Sequence, residues 1–222
     1  MTGCDQNLST TLYMRDVNDL LASTEAKSLP IDIEIEILEM GITKQCSKPE
    51  GMKLVEAVAS VFEKAALVGC EKVSGSMNDK MVIKATTVVS LALTNDVVPG
   101  PYLVHFDIQK TEETSRAFVL ARFNSEKYAY LQDELKRLSP MGGIKIDDAR
   151  ISVAINNDER NPVSVYPHSG TFANGDPVDA NYEEKLEPRQ EIALKFGDVK
   201  MAFLAKTGWA GIANVRTEVA VQ

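Results

Sequence analysis

Between Ile31 and Met40 the chain reads IDIEIEILEM, in which Ile31, Ile33, Ile35 and Ile37 alternate with Asp32, Glu34 and Glu36. A period of two places the four isoleucines on one face of a strand and the three carboxylates on the other. The stretch therefore predicts a sheet with one face against a core and one wet, acidic face.

Other segments extend this pattern. Thr10 to Met14 reads as a strand, and Asp16 as the cap of a short helical turn containing Val17, Leu20 and Leu21. Ser47 and Glu50 form a capping box ahead of a helix whose buried stripe is Leu54, Val58, Val61, Phe62 and Ala65, with Gly69 as its stop. Lys80 to Leu93 is β-rich, and Val98-Pro99-Gly100-Pro101 breaks the chain. Beyond the break, Val104, Phe106 and Ile108 pair with Ala117 to Phe123 as a hairpin. A second helix, capped by Ser125, buries Tyr128, Leu131, Leu135 and Leu138 and ends at Pro140, Gly142 and Gly143, before a strand over Ile144 to Ile155. From Asn156 onward the pattern predicts only strands: Asn174-Gly175 is a hairpin turn, and Glu191 to Phe196, Val199 to Leu204 and Ile212 to Val221 are strands.

The expected fold class is α+β, a mainly antiparallel sheet with two helices packed on one side and a β-rich C-terminal lobe. The expected organisation is a tether over 1–11, an α+β domain over 12–158 with an internal break near 98–101, and the lobe over 159–222.

Composition narrows the partners. Against 24 Lys and Arg stand 32 Asp and Glu, a net charge of -8, so the summed field repels nucleic acid. No run approaches the roughly 18 apolar residues of a membrane-spanning helix.

Thr2-Gly3-Cys4 resembles the end of a lipobox, the motif that closes the signal peptide of bacterial lipoproteins. The apolar signal core of about 7 to 15 residues does not stand upstream of Cys4, so the precursor is expected to be longer. The competing reading is an ordinary cysteine near a terminus. The resemblance implies that Cys4 is acylated and anchors the protein in the lipid bilayer, where two or three acyl chains hold firmly. It also implies that Asp5 acts as the membrane-sorting residue, keeping the protein on the periplasmic face of the inner membrane. From STTLYMRDV onward the chain is also similar to small uncharacterised lipoproteins of proteobacteria and their phages, a likeness that brings no catalytic residues with it.

Cys46 and Cys70 are a candidate disulfide in an oxidising compartment. A helix of roughly 18 residues between them would hold them about 27 Å apart, whereas a disulfide needs Cα atoms within about 7 Å. A fold-back at Gly51 would reconcile the two; otherwise both are buried thiols.

Chemistry-bearing residues are sparse. His105 is expected on the solvent side of its strand. His168 lies beside Ser169, a nucleophile next to a base and the basis of a hydrolase reading, yet adjacency in sequence does not align a proton transfer. Asp176, Asp179, Asn181, Glu183 and Glu184 form an acidic loop without calcium-loop spacing. No zinc or nucleotide motif occurs, so neither metal nor cofactor is expected. Trp209, the sole tryptophan, is expected as a core anchor or, if exposed, as an interaction residue.

The function expected from these residues is that of a non-catalytic, membrane-anchored periplasmic lipoprotein that presents an interaction domain to an envelope protein. Two alternatives are a phage or mobile-element lipoprotein acting in superinfection exclusion, and a ligand-binding lipoprotein with an apolar pocket between sheet and helices.

Overall fold

The computed structural model describes residues 6–38, 53, 56–73, 80–94, 102–111, 116–138, 149–179 and 181–217. In order these form β1 (Gln6–Tyr13), α1 (Met14–Ser23), β2 (Lys27–Leu38), β3 (Glu63–Val73), β4 (Lys80–Leu93), β5 (Val104–Lys110), β6 (Arg116–Phe123) and α2 (Ser125–Leu138). There follow β7 (Ala149–Asn156), β8 (Val163–Pro167), β9 (Thr171–Ala173), β10 (Asp176–Pro177), β11 (Glu184–Leu186), β12 (Glu191–Phe196), α3 (Asp198–Thr207) and β13 (Trp209–Thr217).

All these strands belong to one sheet, ordered β10-β9-β12-β7-β1-β2-β4-β5-β6-β13-β8-β11. The β1–β7 and β4–β5 pairs are parallel; the other described pairs are antiparallel. Residues 80–91 of the long strand β4 pair with β2, and its other edge is shared: β3 takes residues 80–88 and β5 takes 91–93.

The sheet curls into a half-barrel, which brings strands near its two ends toward each other. β8 and β9 lie near opposite ends of the strand order, yet only His168, Ser169 and Gly170 separate them in sequence, and β11 touches β12. Curling shields edges that a flat sheet would leave open. Leu12, Ile31, Val89, Phe106, Ile155, Phe196 and Ile212 belong to one contiguous core cluster on the enclosed face. Each such side chain contributes roughly 1.5–3 kcal/mol by leaving water.

α1 and α3 sit at the two ends of this curl. α1 buries Met14, Val17 and Leu20 against β1, β4 and β5 at one end. At the other end the registers bring together the starts of β1, β7, β9 and β13 and the ends of β6, β8 and β12. α3 crosses this second end and touches β6, β7 and β13.

Several expectations are corrected. The fold is mostly β with a curled sheet, not an α+β layer with two helices on one side. The predicted helix over the 50s does not reach Gly69: residues 56–59 are helical, but the chain turns at 60–62 and enters β3 at Glu63. Val199 to Leu204 is helix, not strand. Residues 159–217 form no lobe of their own, because β12 pairs with β7 and β13 with β6. Residues 6–11 are part of β1, with Gln6, Leu8 and Thr10 buried, so they are not a tether.

Two caps also shift. α1 starts at Met14 with Asp16 inside its first turn. The backbone amides of Glu126 and Lys127 donate to Asn124 Oδ1, which makes Asn124 the cap of α2 instead of Ser125. The break at 98–101 lies outside the described residues.

Candidate functional site

The end of the sheet crossed by α3 holds a connected polar cluster. α3 turns Lys200, Met201 and Leu204 inward. The Lys200 ammonium donates to Thr171 Oγ1 at 2.6 Å, to the Gly211 carbonyl at 2.8 Å and to the His168 carbonyl at 3.2 Å, and lies 5.1 Å from the Phe196 ring centroid. Those acceptors come from β9, from β13 and from the turn between β8 and β9. One cation thus joins both ends of the strand order. Burial disfavours its charge and pulls its pKa from 10.5 down to about 8.

His168 is held just outside this pin. Its backbone amide donates to the Ile212 carbonyl at 2.9 Å, and its Nε2 lies 3.0 Å from Asn214 Oδ1. The ring meets Phe118 edge-on at 6.3 Å and presses its Nδ1 side over Gly211, where a Cβ would collide with it. β13 is irregular between Gly211 and Ala213, so the strand bulges where the ring sits.

A cleft of about 500 Å³ opens beside the ring, lined by Tyr166, Pro167, His168, Ser169, Asn181, Tyr182 and Asn214. Tyr166 donates its hydroxyl to Glu183 at 2.7 Å and Tyr182 donates to Glu184 at 3.0 Å. The Tyr166 hydroxyl, followed by a hydrogen bond from Ser164, holds the Glu183 carboxyl below its ordinary pKa; burial, then Glu184, raises that of Tyr182. Asp179 Oδ1 accepts from the Asn181 amide. Three members of the acidic loop are therefore spent on tyrosines and a turn, and among the described residues no three His, Cys, Asp or Glu side chains gather as a metal site.

Ser169 is exposed, and no hydrogen bond among the described residues joins it to His168. The two are adjacent in sequence but not aligned for nucleophilic attack.

The matched family spans this whole arrangement: the model for a domain of unknown function, DUF7424, covers residues 6–218. The chain belongs to the DUF7424 family. No curated protein and no solved structure matches it. The matched range opens with the first residue of β1 and ends one residue past β13, so the DUF7424 unit is the curled sheet itself.

Two further clusters in the DUF7424 fold depart from the sequence reading. His105 is half-buried: its Nε2 stands 3.5 Å from Asp107 Oδ1, and buried Asp107 accepts from Arg122 Nε at 2.7 Å. Burial lowers the pKa of His105, Asp107 opposes the shift, and Arg122 adds to it. Trp209 is 41% exposed and no core anchor. It meets Phe203 edge-on at 5.7 Å, and Val199, one turn earlier on α3, is 81% exposed. Gly208, at φ 77°, ends α3 and turns the chain into β13.

Cys70 of β3 is disulfide-bonded, with its partner outside the described residues. Cys4, Asp5 and Cys46 also lie outside them.

Proposed function

We propose that this DUF7424 chain is a bacterial lipoprotein domain, acylated at Cys4 and kept by Asp5 on the periplasmic face of the inner membrane, that binds an envelope protein rather than turning over a substrate. The observation that carries the reading is the disulfide at Cys70. Such bonds persist in oxidising compartments. Pairing Cys70 with Cys46 leaves Cys4, of the three cysteines, for acylation. Because helix gives way to β3 by Glu63, the long rigid spacer that opposed this pairing is gone.

Binding rather than turnover is supported by the His168 ring, whose Nε2 faces Asn214 and whose Nδ1 side packs on Gly211 instead of addressing Ser169. The test is expression of the gene with its upstream codons in a bacterium, followed by membrane fractionation of wild type and Cys4→Ser. Wild type in the membrane with the variant released supports the anchor; equal distribution of the two refutes it.

A further inference from the structure

We propose that the stripe formed by Val199, Phe203 and Trp209 rests on the bilayer as a second membrane contact beside the acyl chains of Cys4. This rests on the anchoring reading above.

The stripe is a property of α3, which is apolar on both sides. Met201 and Leu204 point into the core, while Val199 and Phe203, four residues apart on one helical face, point out. Trp209 extends the face through its ring contact with Phe203. Lys206, in the last turn, is exposed beside these apolar groups. An aromatic pair with a lysine at its margin suits the boundary between acyl chains and headgroups, because the rings take the apolar side and the ammonium reaches the phosphates.

Position selects the bilayer as the occupant. Gln6, the first residue of β1, pairs with Ala149 of β7, and the next residue, Arg150, holds Asp198 at the start of α3 at 3.1 Å. Neighbouring strands lie about 5 Å apart, and the two residues from Cys4 to Gln6 span at most about 7 Å. Gln6 thus opens β1 at the same end of the sheet that α3 crosses, so a lipid anchor two residues upstream of it would hold this end of the molecule toward the membrane.

Trp209 is the only tryptophan, so its emission reports on the stripe alone. The full chain, carrying an N-terminal histidine tag, would be held on phosphatidylcholine vesicles containing a nickel-chelating lipid, with and without acyl-brominated phosphatidylcholine. Contact predicts a blue-shifted Trp209 emission and at least a twofold quench by the brominated lipid. Val199→Asp, at a site too exposed to disturb the core, is expected to reduce that quench by half or more. Tethered protein with unshifted, unquenched emission overturns the proposal and leaves the stripe to a protein partner. The nickel tether replaces the acyl chains, so this result does not depend on whether Cys4 is lipidated in cells; an unmodified mass of the cellular protein would separately remove the anchor.

Discussion

Lys200 Nζ lies 2.6 Å from Thr171 Oγ1 and 2.8 Å from the Gly211 carbonyl oxygen, so a single side chain on α3 ties β9 to β13 and fastens the two ends of the curled sheet. Lys200→Met leaves these acceptors and the His168 carbonyl without their donor. Two opposing effects follow: removing a buried charge relieves its desolvation, whereas buried acceptors left unpaired cost roughly 1–3 kcal/mol each. The second wins because three oxygens lose their partner. A net loss of about 2 kcal/mol is expected in urea denaturation.

The same lysine gives a pH signature. Its folded pKa, about 8, lies below the ordinary 10.5, so between those values the unfolded chain binds the extra proton. Stability contributed by Lys200 therefore rises with pH across that window, its charge-burial penalty being full below it. The stability difference between wild type and Lys200→Met should grow from pH 8 to pH 10.5. A difference that stays flat counts against the burial of a charged ammonium.

Gly211→Ala drives a methyl group into the His168 ring and should separate it from Asn214. Overpacking of this kind costs about 1–3 kcal/mol. In the His168→Ala background the same change should cost much less, because the colliding ring is gone. A double-mutant cycle in thermal denaturation reads this coupling directly.

At the second cluster the signs differ between partners. Arg122 lowers the His105 pKa and Asp107 raises it, with burial lowering it most. An NMR titration of the His105 ring should show an upward move in Arg122→Met and a downward move in Asp107→Asn.

Much of the sheet could be read in advance. β2, β4, β5, β6 and β12 follow from alternation or β-branched runs, and the φ angles of 50° at Asn174 and 98° at Gly175 are the left-handed pair that this dipeptide signals. β3 was illegible because its register shifts twice, between Glu63 and Ala66 and between Leu67 and Gly69, which destroys any period of two. Val58, Val61 and Phe62 are buried as expected, but the stripe does not continue to Ala65 as helix.

α3 is hard to recognise in the sequence for the opposite reason. Its apolar residues surround the helix, so no amphipathic period stands out, although Gly197 before it, Asp198 in its first turn and Gly208 after it were helix punctuation. The strand reading hid Lys200, because a lysine in an apolar run looks like a solvent-facing position. His105 was placed on the correct face of β5, but burial of Asp107 and Leu120 shows that this face is not open to solvent there. Local sequence reports which face a residue takes; it does not report what covers that face.

Lipidation and the disulfide are tested together by the intact mass of the mature protein purified from bacterial membranes, with non-reducing peptide mapping of the same sample. The expected result is an N-terminal Cys4 carrying diacylglycerol and an additional acyl group, and a linked pair of peptides containing Cys46 and Cys70. An unacylated Cys4, or a Cys4 found in the disulfide with Cys70, would contradict it.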